Sequence, residues 1–400
     1  MFSFRQIPTY FNRFFNFFEP CFTKPRLQNF KKLVSGLIIS DKKNIQEINA
    51  IYEDRNQSSL NRFVTESEWD LKEVNRIRLK VAKSKLYDKR EEGMIIIDDE
   101  VLHKTGRHME KANYHRSGKT KRNEWGHCVV DALYVGANTH FPIDMQSYLR
   151  KPNTDREHPF KTKREIALDI IDLTLENGIK GMVCNDAWYY GEEYVKELRS
   201  RSLKYLLGVR TTLKISVNRQ KRLSISDYMD TLTDEDYSYY KLKNGTYCLH
   251  VKEVSIRGDG KEVLLISYKE DDKKNVKCYV TNQFRWTHLK YITTLLKRWN
   301  IECLHRDTKQ HLGLEDYQVR KYRGMQVVAL AVLVAYTLLI LNAAPSLLKK
   351  FRPLKTIGEM CRFAKLSAQK SIYWMKKKFN DLVEGRKILN QLVLVKNAKV

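Results

Sequence analysis

The 400-residue sequence lacks paired cysteines and lacks an unbroken apolar run long enough to cross a membrane. Its seven cysteines are scattered without a C-x-x-C pair, which excludes a disulfide framework or zinc knuckle and favours a reducing cytosol. The apolar run 327–341 would rise roughly 22 Å as a helix, less than the ~30 Å core of a bilayer. The Phe-rich first 18 residues are interrupted by arginine and proline, so no signal peptide is expected. We therefore expect a soluble protein whose apolar run is a core helix.

Acidic residues are also in short supply. The sequence has 47 Asp and Glu against 73 Lys and Arg, a formal net charge of +26. Such an excess favours a polyanionic partner, and nucleic acid is the usual one. The alternative is a merely basic soluble protein. Because 42% of the residues are apolar, the chain is expected to fold rather than remain disordered.

The pattern of apolar residues changes along the chain and predicts several segments. Strand patterns that lead into helical patterns indicate an α/β fold with a mixed sheet. A β-rich insertion with a turn at 258–260 interrupts it. The final 55 residues form a basic tail, with 14 Lys and Arg against 3 Asp and Glu. The predicted segments are 1–90 (helical, either a DNA-binding or a packing domain), 91–210 (first part of the core), 211–285 (β-rich insertion), 286–345 (second part of the core) and 346–400 (basic helical tail).

Two aspartates each follow a short pattern typical of a buried strand. Asp98 ends MIIID and Asp186 ends MVCND. A carboxylate at the C-terminal edge of a sheet opens into the crevice where α/β folds place functional groups. Helix caps and turns are the alternative positions for aspartate. Asp99 is expected to face away from Asp98, and Asp131 is expected inside a strand, so both are weaker candidates.

One carboxylate, Glu302, lies in the cationic stretch KRWNIECLHRDTKQ at 297–310. On a continuous helix, Arg298, Glu302 and Lys309 fall within about 40° of one another, with His305 and Arg306 beside them. Exposed ion pairs contribute only ~0.3–0.5 kcal/mol each, so stability is a poor reason for this cluster. A site that binds a divalent metal through Glu302 and phosphates through its neighbours explains it better than a solvated charged face. The apolar stripe predicted to be buried beside it consists of Ile292, Leu296, Trp299 and Cys303.

Three separated carboxylates suit magnesium. Mg²⁺ prefers oxygen ligands, keeps several waters and shares its coordination with substrate phosphates. Two such ions about 3.5–4 Å apart can activate the attacking oxygen and stabilise the leaving oxygen of a phosphodiester.

These residues resemble the DDE transposases of prokaryotic insertion sequences, in the branch with the YREK signature. Arg298, Glu302 and Lys309 match the spacing of its last three members, and Leu295 stands at the tyrosine position. IIIDD and NDAWY resemble the strands that carry the first and second aspartates. The segment 211–285 resembles an insertion domain within an RNase H-like core. The resemblance covers about residues 43–345.

The resemblance implies an enzyme that cuts at transposon ends and joins the freed 3′-hydroxyl to target DNA. Asp98, Asp186 and Glu302 would be the catalytic metal ligands for two Mg²⁺ ions, with Mn²⁺ as a substitute. Arg298 and Lys309 would contact phosphates. The implied partners are double-stranded DNA at the transposon ends and target and a second copy of the chain. No membrane is implied, and the implied location is the prokaryotic cytoplasm and its nucleoid. The alternatives are an inactive DNA-binding descendant and an RNase H-like endonuclease that does not join strands.

Further residues predicted to contact DNA lie beside the signature and in the loop HRSGKTKRN. A solvated loop is the alternative for the second group. These residues are His305, Arg306, His115, Arg116, Lys119, Lys121 and Arg122.

Three other side chains are weaker candidates. Trp188 and Trp286 could stack on an extruded base, with core packing as the alternative for each. Glu315 could rival Glu302 as the third carboxylate, but it lacks the flanking Arg and Lys at the right spacing.

Overall fold

The computed structural model describes residues 9–52, 57–89, 92–118, 120–256, 260–342 and 356–369. Helices form its N-terminal part: α1 (Thr9–Phe15), α2 (Lys24–Ile39), α3 (Ile45–Ile51), α4 (Gln57–Thr65) and α5 (Leu71–Leu86), with a 3-10 helix at Asn16–Cys21. Phe15, Phe18 and Phe30 are fully buried, with the rings of Phe18 and Phe30 5.4 Å apart. The carboxylate of Asp70 caps the first turn of α5. The phenylalanine-rich start of the chain therefore contributes to a helical core.

A mixed sheet with crossing helices follows. Its first elements are β1 (Gly93–His103), β2 (Asn113–Arg116), β3 (Asn123–Val135), β4 (His140–Tyr148), α6 (Lys163–Glu176), β5 (Gly181–Asn185), α7 (Glu192–Ser200) and β6 (Tyr205–Val209), with a 3-10 helix at Lys151–Asn153. β1 pairs antiparallel with β3 and parallel with β5, and β6 continues parallel to β5. β2 and β4 both pair with β3. The α/β fold with a mixed sheet is as predicted.

The boundaries of α6 follow from its sequence. Thr162 and Glu165 form a reciprocal capping box at its start. Gly178 adopts a left-handed backbone (φ 65°) just beyond its end, which glycine allows without a Cβ clash. The chain then turns directly into β5.

The β-rich segment extends the same sheet. Its elements are β7 (Lys214–Val217), β8 (Leu223–Ser224), α8 (Ile225–Met229), β9 (Ser238–Leu242), β10 (Gly245–Ile256), β11 (Gly260–Lys269) and β12 (Asp272–Thr281), with a 3-10 helix at Asp234–Asp236. β12 pairs antiparallel with β6, so the twelve strands form one continuous sheet. The predicted turn at 258–260 lies largely outside the described residues.

Three helices complete the core: α9 (His288–Lys297), α10 (Trp299–Leu312) and α11 (Tyr322–Asn342). The 21 residues of α11 would span roughly 31 Å, so the length argument from the 15-residue apolar run was wrong. By length and composition alone α11 could cross a membrane, but 83% of an 18-residue apolar window within Tyr322–Leu341 is buried inside the protein. It packs against α2, α4, α5 and β4, as a core helix does. Of the predicted basic tail, residues 357–369 are helical, and most of the rest lies outside the described residues.

Side chains of β1 alternate between two cores. Ile96 and Leu102 face the core that contains residues of α10 and α11. Ile95 and Ile97 face the other core, which contains residues of α6 and α7. Because side chains alternate along a strand, Asp98 and Glu100 belong to the α10 face.

Candidate active site

Asp98 and Asp186 lie side by side on neighbouring parallel strands. Ile97 of β1 is paired with Asn185 of β5, and each aspartate is the next residue along its strand. Neighbouring strands run about 4.8 Å apart, which places the two carboxylates next to each other. β5 ends at Asn185, so Asp186 stands at a strand end as predicted.

Asp98, in contrast, does not end its strand. β1 continues to His103 because its second half remains paired with β3, from Asp98 opposite Asp131 to His103 opposite Gly126. The prediction that Asp98 ends a strand was therefore wrong. Asp98 instead marks the point where the pairing of β1 with β5 stops and its pairing with β3 goes on.

The signature stretch forms two helices rather than one. Arg298 is the junction residue between α9 and α10 and keeps helical backbone angles, φ −55° and ψ −32°. Its Nη2 donates to Oε1 of Glu302 across 2.8 Å. The predicted proximity of Arg298 and Glu302 is thus present.

The predicted apolar stripe beside them is not continuous. Trp299, the first residue of α10, is 61% exposed, whereas Ile292 is buried. The prediction that Trp299 is buried was wrong. It assumed one continuous helix through Arg298, whereas the chain forms two helices whose faces are not in register.

The charges of the site interact strongly. Burial raises the pKa of Asp98 to about 7, opposed by the nearby His305 and assisted by the negative charges of Asp99 and Asp186. Burial likewise raises the pKa of Asp186. Burial alone would lower the pKa of Arg298, but nearby groups that include Glu302 and Asp98 outweigh it and raise that pKa. Arg298 is therefore ion-paired with Glu302 and lies within electrostatic range of Asp98.

A buried ionic network adjoins Asp98. Asp131, fully buried on β3, lies directly opposite Asp98 in the sheet register. Nε2 of His305 on α10 is 3.0 Å from both carboxylate oxygens of Asp131. Nζ of Lys309 is 3.0 Å from Oε2 of Glu100, whereas Oε1 of Glu100 is buried without a hydrogen-bond partner. We call these four residues the α10–sheet network, because they join the helix that carries Glu302 to the strands beside it.

The sequence reasoning did not name Glu100, and it ranked Asp131 only as a weaker candidate inside a strand. Glu100 could have been found by strand alternation, because it is two residues beyond Asp98 on the same strand face. Asp131 lies inside β3 as predicted, but only the pairing register of β1 with β3 places it opposite Asp98.

The remaining residues of the signature are engaged within the protein. Lys309 also contacts Glu315 at 3.0 Å and donates to the carbonyl of Val101. Arg306 is half exposed and pairs with Asp307. The predicted DNA contacts of His305, Arg306 and Lys309 stay predictions.

The stretch HRSGKTKRN runs from the last two residues of β2, His115 and Arg116, to the first residue of β3. Arg116, Lys121 and Arg122 are exposed, and their DNA contacts stay predictions. Lys119 lies outside the described residues. His115 is 5% exposed and packs beside Tyr148, so its predicted role in tracking a DNA backbone was wrong.

Gly208 on β6 supports the position of Asp186. A Cβ at this glycine would lie 2.7 Å from the amide nitrogen of Ala187 and 2.9 Å from the carbonyl carbon of Asp186. Both neighbours are backbone atoms, so they cannot rotate away. We expect Gly208→Ala to lower the free energy of unfolding by about 1–3 kcal/mol. Any activity that depends on the Asp186 carboxylate should fall by up to about a hundredfold, because the carboxylate moves. Urea unfolding and an assay of that activity measure the two effects.

Gly106→Ala is the matched control for that substitution, because its Cβ would meet only Met109 at 3.9 Å. An equal loss of activity in both variants would contradict the steric explanation.

The stability contributed by His305 should depend on pH. Burial alone would lower its pKa, but Asp131 and Glu100 outweigh burial and raise it to about 10, against about 6.5 in an unfolded chain. Because the folded-state pKa is the higher one, this stabilisation is complete below about pH 6.5 and is lost as the pH rises through about 10. Urea unfolding of the wild type and His305→Gln at several pH values should show the two free energies converging. A constant difference would contradict the pairing.

The comparisons with known proteins agree with this geometry. Residues 17–224, more than half of the chain, match the family described as DDE superfamily endonuclease. That range contains Asp98 and Asp186 and ends before Glu302. The sheet and helices, taken with this match, confirm the predicted α/β fold with an RNase H-like core.

Individual relatives are more distant. The chain is 26% identical over 192 residues to a probable transposase for insertion sequence element IS701 from Microchaete diplosiphon, over 47% of this chain and 50% of that protein. The chain thus spans about half the length of the curated relative it matches. A cryo-EM structure of the piggyBac transposase synaptic complex with hairpin DNA aligns with 90% of this chain and 73% of that chain, with a TM-score of 0.47 and 11% identity. On the strength of the family match, the chain belongs to the DDE superfamily of endonucleases.

Proposed function

We propose that this protein is a metal-dependent DNA transposase. It cuts phosphodiester bonds at the ends of an insertion sequence and joins the freed 3′-hydroxyl to target DNA. The observation that carries the proposal is the placement of Asp98 beside Asp186 on neighbouring parallel strands, with Glu302 held by Arg298 at 2.8 Å on α10. The similarity to a probable insertion-sequence transposase adds support.

The three carboxylates fit a magnesium site. They offer only oxygen donors, which Mg²⁺ prefers. Burial and the charges of Asp99 and Asp186 raise the pKa of Asp98, so the ionised carboxylate of Asp98 lacks full compensation from the protein. Asp98, Asp186 and Glu302 would hold two Mg²⁺ ions, or Mn²⁺ in their place. Bound metal supplies Lewis-acid stabilisation of the attacking and leaving oxygens.

The basic side chains bind and orient the DNA in this proposal. Arg298 has five N–H donors, and the bond to Glu302 leaves others for a phosphate oxygen. Lys309 and Arg306 contact phosphates farther along α10, and the exposed Arg116, Lys121 and Arg122 contact the backbone beyond the site. The net charge of +26 favours this polyanionic partner.

The proposed division of labour follows the segments predicted from the sequence. Segment 1–90 binds the transposon end, 91–210 and 286–345 form the catalytic core, 211–285 is the insertion and 346–400 adds basic contacts. Two copies act together on paired ends and on target DNA. The protein acts at the nucleoid of the prokaryotic cytoplasm, and it does not need a membrane.

A cleavage assay with the purified full-length protein tests the proposal. The DNA carries the sequences that flank the gene, and the reaction is run with Mg²⁺, with Mn²⁺ and with EDTA. We expect metal-dependent cutting at the element ends and a joined product on target DNA. Cutting without joining would indicate an endonuclease, and end-specific binding without cutting would indicate a DNA-binding descendant. Either outcome contradicts the proposal.

A further inference from the structure

Aromatic and basic side chains lie side by side next to Asp186. Lys163, which is ion-paired with Asp99 and has a side chain only 13% exposed, lies 5.2 Å from the ring centre of Trp188 and 5.4 Å from that of Tyr148. The ring of Phe160 is 6.4 Å from that of Tyr148, and Lys151 lies 5.3 Å from the ring of Phe160. We call these two lysines and three aromatic residues the aromatic–basic row.

The end of the row at Trp188 is attached to the catalytic carboxylate. The backbone N–H of Trp188 donates to Oδ1 of Asp186 across 2.8 Å. The carbonyl of Trp188 accepts from Arg164 at 3.2 Å, and the guanidinium of Arg164 is 5.6 Å from the indole centre. The backbone of Trp188 is therefore held on both sides. The row begins at the site where a phosphodiester would be cut.

Two of the three rings of the row are exposed to solvent, whereas Tyr148 is partly buried. Trp188 is 42% exposed and Phe160 is 38% exposed, although large aromatic side chains ordinarily bury most of their surface. The sequence left core packing as the alternative to base stacking for Trp188, and this exposure excludes it. Trp286, in contrast, is partly buried against the core.

We propose that the aromatic–basic row binds a single-stranded DNA segment with unpaired bases that leads away from the cleaved phosphate. Sequence-tolerant single-strand sites combine aromatic faces for bases with cations for the backbone. The row offers the exposed rings of Trp188 and Phe160 and the exposed cation Lys151. Duplex DNA keeps its base faces stacked inside and cannot use these rings. An acidic peptide would use the lysines but not the aromatic faces. The inference rests on the proposed function, because it takes DNA as the substrate of the neighbouring carboxylates.

Binding without catalysis tests the row. Fluorescence anisotropy in EDTA measures the affinity of the full-length protein for a labelled single strand of about 16 nucleotides and for a hairpin duplex of similar size. We expect Trp188→Ala and Phe160→Ala each to weaken single-strand binding by at least about tenfold, the effect of one lost stacked base. Trp188→Phe should restore most of the affinity, because a ring remains. Duplex affinity should change by less than about twofold, since only single-strand binding uses stacking.

Two controls separate stacking from general charge or misfolding. Tyr239→Ala removes an equally exposed aromatic side chain from β9 and should leave single-strand affinity unchanged. A single strand with abasic positions should bind the wild-type protein weakly. Its affinity for Trp188→Ala should be the same as its affinity for the wild type.

Three results would overturn the proposal: unchanged single-strand affinity in both alanine variants, equal loss of duplex affinity, or competition by polyglutamate as effective as by single-stranded DNA. The metal-dependent cleavage assay is independent of these measurements. A protein that cleaves but shows no effect at Trp188 refutes only the row, and one that binds through Trp188 but never cleaves refutes only the transposase.

Discussion

Replacing Asp98 or Asp186 by Asn, or Glu302 by Gln, is expected to lower DNA cleavage by at least about a thousandfold. Each amide keeps the size of the side chain but removes the charge that a divalent cation needs. Loss of metal-based charge stabilisation costs several kcal/mol in the transition state, and each ~1.4 kcal/mol is a tenfold change in rate. Single-turnover cleavage of end-containing DNA at saturating Mg²⁺ measures the effect.

The same substitution at Asp98 should make the metal-free protein more stable. Burial and the charges of Asp99 and Asp186 raise the pKa of Asp98 to about 7, so the ionised carboxylate is destabilising. Asn carries no charge to desolvate. A higher midpoint of thermal unfolding in Asp98→Asn, together with lost cleavage, would separate loss of chemistry from loss of folding.

An exposed carboxylate provides the control for these variants. Asp271 lies at the turn between β11 and β12, and Asp271→Asn should cleave like the wild type. The assignment of the third carboxylate is contradicted if Glu302→Gln keeps its activity while Glu315→Gln loses it.

Alanine at His305 or at Asp131 is expected to lower the free energy of unfolding by about 3–5 kcal/mol. The carboxylate of Asp131 is fully buried, and His305 supplies the cation 3.0 Å away. Removing either partner leaves a buried charge without its counterion, which costs more than the pair itself contributes. Urea unfolding in the absence of metal measures the difference.

A double-mutant cycle is the sharper version of this experiment. The double variant His305→Ala and Asp131→Ala should lose less than the sum of the single losses, because no charge of the pair is left alone. The exposed pair Lys161 and Asp169 is the matched control, and alanine at either should cost at most about 1 kcal/mol. Strict additivity at His305 and Asp131 would contradict their coupling.

Loss of the His305–Asp131 pair would also affect the active site. His305 is three residues beyond Glu302 on α10, and Asp131 faces Asp98 across β1 and β3. The α10–sheet network thus joins the helix of the third carboxylate to the strand of the first. We therefore expect a network variant that remains folded to show weaker metal-dependent cleavage, while Asp271→Asn does not.

Much of this protein is determined by the sequence itself. The short apolar runs in MIIIDD and MVCND, and the helical period of 163–177, are local signals. They predicted the strands, the crossing helix and the mixed sheet that the structure contains. The spacing of Arg298 and Glu302 is one helical turn, so their contact follows from local geometry. The basic composition likewise needs no fold to indicate a polyanionic partner.

Only the tertiary structure decided which distant side chains meet. The register of β1 with β3 puts Asp131 opposite Asp98, and a shift of one residue would have turned Asp131 to the other face. The junction at Arg298 exposes Trp299, and the backbone bonds to Asp186 and Arg164 hold Trp188 at the surface. Periodicity predicts the direction of a side chain within one element. Pairing register, helix junctions and burial depend on contacts between elements far apart in the chain, so they were not predictable from any local stretch.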